Sequence, residues 1–346
     1  MYIQLLTSGR LVKAEVKSQK KTSALGWVKL IVCGIALSLT AEIHAATTGF
    51  NQTGAGPYDY NTAGNWVSGT INGTWDTSLT LVGPSQTVTF AANTTLSTAL
   101  GFSYSGNYPL TLDSSSATAE TITLGGDITL NTGGGTSANV TIGDPTDILN
   151  VSLANANRNF NVAANRTLTL VNVISSTGTS GGITLGNTSA AGSVILSGAN
   201  TFTGPTVVKA GNTLTVRGTG TIGGGSSATT LTVGGVVSGS SSSTATFNYF
   251  SSGASTVGQL LIGAGGSGSP PGLVNITNGT LTANQLIMCN SKDSTGVLNL
   301  SGATLNVSGS GAYMTVGVRG STVASSLATV NMTNGFLRVR LKNHEC

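Results

Sequence analysis

The chain has 346 residues, of which 8% are charged and 5% aromatic, and a formal net charge of +4. Globular domains average roughly 25% charged residues, so a self-repelling disordered chain is excluded, and 49 Gly with 7 Pro and no triplet period exclude collagen. The positive balance belongs to the two ends. Residues 47–337 hold six cations against eight carboxylates, which excludes a nucleic-acid binder built on a basic, counterion-releasing patch.

The chain opens with Arg10, Lys13, Lys17, Lys20, Lys21 and Lys29, then an apolar run at residues 30–41, then Glu42-Ile43-His44-Ala45. Basic stretch, apolar stretch and small-residue cleavage site are the parts of a secretory signal, so residues 1–45 are expected to be a signal peptide cut after Ala45. The apolar run is shorter than the about 20 residues that span a bilayer; the alternative is an uncleaved anchor. The mature chain is therefore expected to be exported through the inner membrane, to the cell surface, outer membrane or medium, and not to span a membrane itself. Cleavage would leave Cys289 and Cys346, which make no disulfide framework.

Residues 46–110 are less regular and rich in aromatics: Tyr58, Tyr60, Trp66, Trp75, Tyr104 and Tyr108. They are expected to pack as an irregular N-terminal cap, since a stacked repeat must cover its end. The functional alternative is an aromatic platform for sugar rings.

From about Thr87 the sequence alternates with period two, as in Thr121-Ile122-Thr123-Leu124 and Thr167-Leu168-Thr169-Leu170. Period two sends Ile, Leu and Val to one face of a strand and Thr, Ser and Asn to the other. The runs are short and broken by Gly-Gly, Ser-Gly or Asn-Gly, and no 3.6-residue stripe is present, so the class is all-β. Two architectures fit this pattern over residues 111–339: a stack of sandwiches, or a solenoid of short repeated coils.

Within this region Gly143-Asp144-Pro145-Thr146-Asp147 holds the best candidates for chemistry. Two carboxylates can act as acid and base on a glycosidic bond when about 5–9.5 Å apart, with Arg158 and Arg166 about one coil away. The same residues also spell an ordinary solvated turn.

The segment Gly192-Ser193-Val194-Ile195-Leu196-Ser197-Gly198-Ala199-Asn200-Thr201-Phe202-Thr203-Gly204 continues through Thr206-Val207-Val208-Lys209-Ala210-Gly211 to Val216. It closely resembles the autotransporter-associated β-strand repeat. The resemblance is specific over residues 192–216 and looser elsewhere. It implies a passenger protein folded as a right-handed parallel β-helix, or β-solenoid, of short repeated coils, carried to or past an outer membrane, with further coils and a membrane barrel or anchor in typical members.

Internal repetition supports a solenoid over a stack of sandwiches. Three segments align without gaps: Val274–Leu281, Leu298–Leu305 and Val330–Leu337, bringing Asn275, Asn299 and Asn331 to one position. Stacked in register, these asparagines would form an amide ladder; the alternative is a solvated outer face. A second strand recurs as Leu261–Ala264, Leu286–Cys289 and Thr315–Val318, which places Cys289 as a small core residue equivalent to Ala264 and Val318. Residues 340–346 break the composition and are read as an atypical tail of a truncated or frameshifted chain.

No histidine lies between Thr47 and Leu337, so Ser-His and Cys-His catalysis lack their base, and zinc lacks its ligands. The GxGxxG strings at Gly218–Gly223 and Gly263–Gly268 open no helix and are chance matches. No cofactor site, metal site or firm catalytic group is predicted. The expected function is a non-catalytic, adhesin-like surface or secreted passenger whose Thr/Ser/Asn exterior meets glycans or other cell-surface components. The alternatives are a polysaccharide-cleaving β-helix enzyme, with Asp144 and Asp147 as its carboxylates, and a self-associating surface-layer or matrix protein.

Overall fold

The computed structural model describes residues 56–65, 86–96, 99–102, 109–115, 118–130, 139–186, 191–223, 229–234, 243–264, 270–290, 293–309, 311–317 and 326–340, and the backbone of 2–7 and 10–15. Tyr2–Thr7 and Arg10–Glu15 form an antiparallel hairpin in a unit of their own, Met1–Ala45. The apolar run at 30–41 lies outside the described residues. No helix among the described residues is long and apolar enough to cross a membrane.

Residues 46–346 form a second unit, and its described part is a parallel β-solenoid. Its strands wind through three faces in turn. The first face stacks Gln86–Phe90, Leu110–Ser114, Val140–Ile142, Thr167–Leu170, Ser193–Leu196, Thr213–Gly218, Ala245–Ser251, Gly272–Thr277, Thr295–Ser301 and Leu327–Thr333 in chain order. The second face begins as Thr94–Thr95, Glu120–Thr123, Leu149–Ser152 and Ile174–Ser175, and the third as Leu100–Phe102, Ile128–Leu130, Arg158–Val162 and Ile183–Leu185. At Ala254–Ile262 and Thr280–Met288 the second and third faces fuse into single nine-residue strands. They part again beyond, where Thr304–Val307 and Tyr313–Val316 pair with different halves of Thr280–Met288. Regular coils thus begin at residue 86, inside the stretch expected to be cap.

Period-two patterning explains the core. One inward column of the first face runs Val88, Leu112, Ile142, Leu170, Leu196, Val216, Tyr249, Ile276, Leu300 and Met332, each paired with the next. All but Met332 are buried. Each such side chain contributes about 1.5–3 kcal/mol through burial, and no single coil could make this core alone. Register survives unequal coil lengths: 20 positions separate Leu196 from Val216 and 33 separate Val216 from Tyr249.

The outward neighbours form a matching column: Thr87, Thr111, Thr141, Thr169, Ile195, Thr215, Asn248, Asn275, Asn299 and Asn331. Its last four members form an amide ladder on a polar outer face. Each Nδ2 donates to the preceding Oδ1, at 2.8 Å for Asn275 to Asn248, 2.7 Å for Asn299 to Asn275 and 2.8 Å for Asn331 to Asn299. Asn248 ends the ladder on Thr215 Oγ1 at 3.4 Å. The gapless alignment located three of these asparagines; Asn248 escaped it because its coil reads Phe-Asn-Tyr.

Corners carry the Asn-Gly punctuation. Asn278 (φ 71°), Gly302 (φ 62°) and Asn334 (φ 52°) follow the paired residues Thr277, Ser301 and Thr333 and turn the chain through left-handed backbone, which Asn and Gly tolerate best. The Cys289 alignment is corrected by one residue. Ile262 pairs with Met288, which pairs with Val316, so Cys289 is equivalent to Gly263 and Gly317, not Ala264 and Val318. All three have positive φ. Cys289 is nevertheless fully buried, its Sγ 3.1 Å from the Leu327 carbonyl oxygen.

The two ends of the stack differ. At the first, Tyr60 is buried and stacks on Phe90 with ring centroids 4.6 Å apart, and Tyr58–Asp59 pairs with the first-face strand Gln86–Phe90. Trp66, Trp75, Tyr104 and Tyr108 lie outside the described residues. At the other, Met332 is 49%, Phe336 58% and Leu327 60% exposed. Met332 occupies the inward column, so the last described coil displays its core.

Candidate functional site

Residues 192–216 make one complete turn, and their glycines, asparagine and phenylalanine each have a mechanical task. Gly198 lies where a Cβ would meet the Asn172 carbonyl oxygen at 2.1 Å, and at Gly204 it would meet the Gly182 nitrogen at 2.5 Å. Asn200 is buried between coils: its Oδ1 accepts from Ile174 N at 2.8 Å and its Nδ2 donates to the Thr221 carbonyl at 2.8 Å. It thereby satisfies the second-face backbone where the strand ladder stops. Phe202 fills the core below it. The same stapling recurs at Asn93, Asn139, Asn150 and Asn172, whose side-chain oxygens accept from Thr121, Thr167, Val173 and Leu149 N–H groups. This segment fastens one coil to the next.

Asp144 and Asp147 lie on the corner after the first-face strand Val140–Ile142. Asp144 Oδ1 accepts from Thr146 N at 2.7 Å and Thr146 Oγ1 at 2.6 Å. These hydrogen bonds, the Thr146 hydroxyl first, hold its carboxyl below the usual range. The Asp144 carbonyl accepts from Asn172 Nδ2 at 3.0 Å. Asp144 is thus the pivot of a turn.

A third carboxylate, Asp113, was not singled out in the sequence. Its strand places it opposite Thr89, on the outer face and one coil before Asp144. Burial pushes its carboxyl up to about 6, opposed by a hydrogen bond from Ser114 N and assisted by the charges of Asp144 and Asp147. Asp113 and Asp147 line a cleft of about 430 Å³ with Thr87, Thr89, Ser114 and Pro57. Two carboxyls lining one cleft, one of them raised by burial, can divide acid and base roles in glycoside cleavage.

The expected cations are not part of this cleft. Arg158 belongs to the third face, where its guanidinium donates to the carbonyls of Gly125 and Leu124. Arg166 is only 2% exposed. Among the described residues, no group of three or more His, Cys, Asp or Glu side chains is placed to hold a metal ion. Gly218 ends the strand Thr213–Gly218, and Gly218 and Gly223 have positive φ, so this glycine string lies at a strand end and not at the start of a helix among the described residues.

A scan against protein-family models finds no match, and searches of curated proteins and of solved structures find no similar protein.

Proposed function

We propose that this chain is an exported, non-catalytic passenger rod that displays a weakly charged hydroxyl- and amide-rich surface to glycans or neighbouring cells. One observation carries this reading: the outward column from Thr87 to Asn331 is polar at every coil but Ile195, over a core continuous from end to end. A rod of that kind repeats one weak contact many times, which is how multivalent attachment gains strength. The resemblance of 192–216 to the autotransporter-associated repeat supports it further, because that stretch makes one turn of the stack. The basic-then-apolar residues 1–45 supply the export step in this reading.

The test is fractionation of cells expressing the full chain with an internal tag, with mass spectrometry of its N-terminus. Export predicts a mature protein beginning at Ala46 and accessible to protease on intact cells. An unprocessed cytoplasmic chain would refute it.

A second reading is favoured by the Asp113 cleft: cleavage of a polysaccharide, with Asp113 and Asp147 as its pair of carboxyls. Activity on soluble polysaccharides that disappears in both Asp113→Asn and Asp147→Asn would establish it. Activity indifferent to both would remove it.

A further inference from the structure

The last described coil carries a feature that the rest of the stack lacks. Phe336–Val339 pairs with Thr304–Val307, setting Arg338 beside Asn306. Arg340 N donates to the Val307 carbonyl, so the next outward position brings Arg340 beside Ser308. Two guanidinium groups therefore stand on one face, two residues apart, above an amide and a hydroxyl of the preceding coil. Together with Val339 they line a cleft of about 360 Å³.

Both arginines are exposed, and neither has an ion-pair partner among the described residues. Arg338 is held in place by the ring of Phe336, 5.5 Å from its guanidinium carbon, a cation–π contact that leaves its N–H donors free. Successive outward side chains of a strand are about 7 Å apart, so the two forks can engage one oxyanion together or neighbouring oxyanions on one chain. Guanidinium forks match carboxylate and sulfate in a bidentate way. Asn306 and Ser308 add the amide and hydroxyl that pair with sugar hydroxyls. In residues 47–337, carboxylates outnumber cations, so this cleft stands out against its own background.

We infer that Arg338, Arg340, Asn306 and Ser308 form a binding site for an oxyanion-bearing sugar chain, a uronate or sulfated glycan. Two cations are too few for a phosphate backbone, whose binding rests on releasing many counterions. The site extends the glycan-display proposal but does not depend on export, so it is tested on purified full-length protein whether or not export is found.

The probes are a galacturonate oligosaccharide, a sulfated oligosaccharide of equal length, a neutral one of equal length, and a single-stranded oligothymidylate. Titration calorimetry at two salt concentrations is expected to show binding of one or both acidic sugars, weaker at high salt, and none of the neutral sugar. Arg338→Gln or Arg340→Gln is expected to weaken binding roughly tenfold, a charge-assisted hydrogen bond being lost, and the double variant to abolish it. Arg338→Lys keeps the charge but not the fork and is expected to fall between. Lys20→Gln with Lys21→Gln must leave binding unchanged, since those cations belong to the other unit. Circular dichroism checks that each variant keeps its fold. The proposal is overturned by no binding of either acidic sugar, by binding that follows the Lys20 and Lys21 changes instead, or by tighter binding of oligothymidylate through the same arginines.

Discussion

Asn299 donates its side-chain amide to Asn275 at 2.7 Å across one coil step, and the same bond is made before and after it. An amide has both a donor and an acceptor, so it can pass the chain on; a carboxylate of the same shape cannot donate. Asn299→Asp should therefore destabilise the stack more than Asn299→Thr, which restores the side chain used at Thr141 and Thr169. A net hydrogen bond is worth about 0.5–1.5 kcal/mol, and the aspartate also places two acceptors face to face. Urea unfolding at pH 7 measures the difference; equal midpoints would mean that the ladder is ornamental.

Phe202→Ala should cost far more than any outward change, about 3–5 kcal/mol, because the ring is wholly buried beneath Asn200. Asn200→Ala should approach it in effect, since it leaves a buried N–H at Ile174 and a carbonyl at Thr221 unmatched, at about 1–3 kcal/mol each. Thermal unfolding of the two variants checks the order.

The acid side of the stability profile should bear the mark of Asp113. Its folded carboxyl titrates at about 6, above the ordinary 3.8, so the folded state holds the proton more tightly than the unfolded one. Its contribution is complete below the unfolded value and fades as pH rises through about 6. Asp113→Asn should therefore stabilise the protein at pH 7.5 relative to the parent, with the gap closing near pH 4. Asp144, held low by Thr146, should act in the opposite sense: Asp144→Ala should cost stability at neutral pH and cost less in acid.

Cys289 should be silent to alkylating reagents in the folded protein and react only on unfolding. Burial raises its thiol, and the Leu327 carbonyl oxygen sits on its sulfur. Peptide mapping after iodoacetamide treatment, with and without denaturant, resolves it from the other two cysteines. Full labelling under native conditions would contradict its place in the core.

The exposed inward side chain of Met332 should make the protein associate as its concentration rises, because an open edge and bare core invite another strand. Analytical ultracentrifugation of the parent and of Met332→Lys should show the association weakened in the variant. Parent and variant that are equally monomeric would show that this end is protected.

The period-two runs were legible because alternation is a local property of a strand, and it carried the all-β class; the stacking of coils was legible in the internal repeats. Asn275, Asn299 and Asn331 were legible because three coils happen to share one spelling. Cys289 was misaligned by one residue because Gly263 and Gly317 take the corner position where sequence shows only a small residue, and the left-handed turn is a backbone fact. Asp113 escaped notice for a different reason. It lies in an ordinary strand, Leu-Thr-Leu-Asp-Ser, and becomes significant only because the next coil returns Asp144 and Asp147 to the same corner about 30 residues later. Juxtapositions across coils depend on coil length, which varies here and is not written in any local pattern.

That variable coil length has a mechanical consequence. The ladders bind each coil to its neighbours along the stack, so tension along it would peel coils one at a time instead of shearing all of them together. Each release would free between 20 and 33 residues, for the turns Leu196 to Val216 and Val216 to Tyr249, or about 70 to 110 Å of slack at full extension. A molecule pulled in this way yields in steps of unequal length.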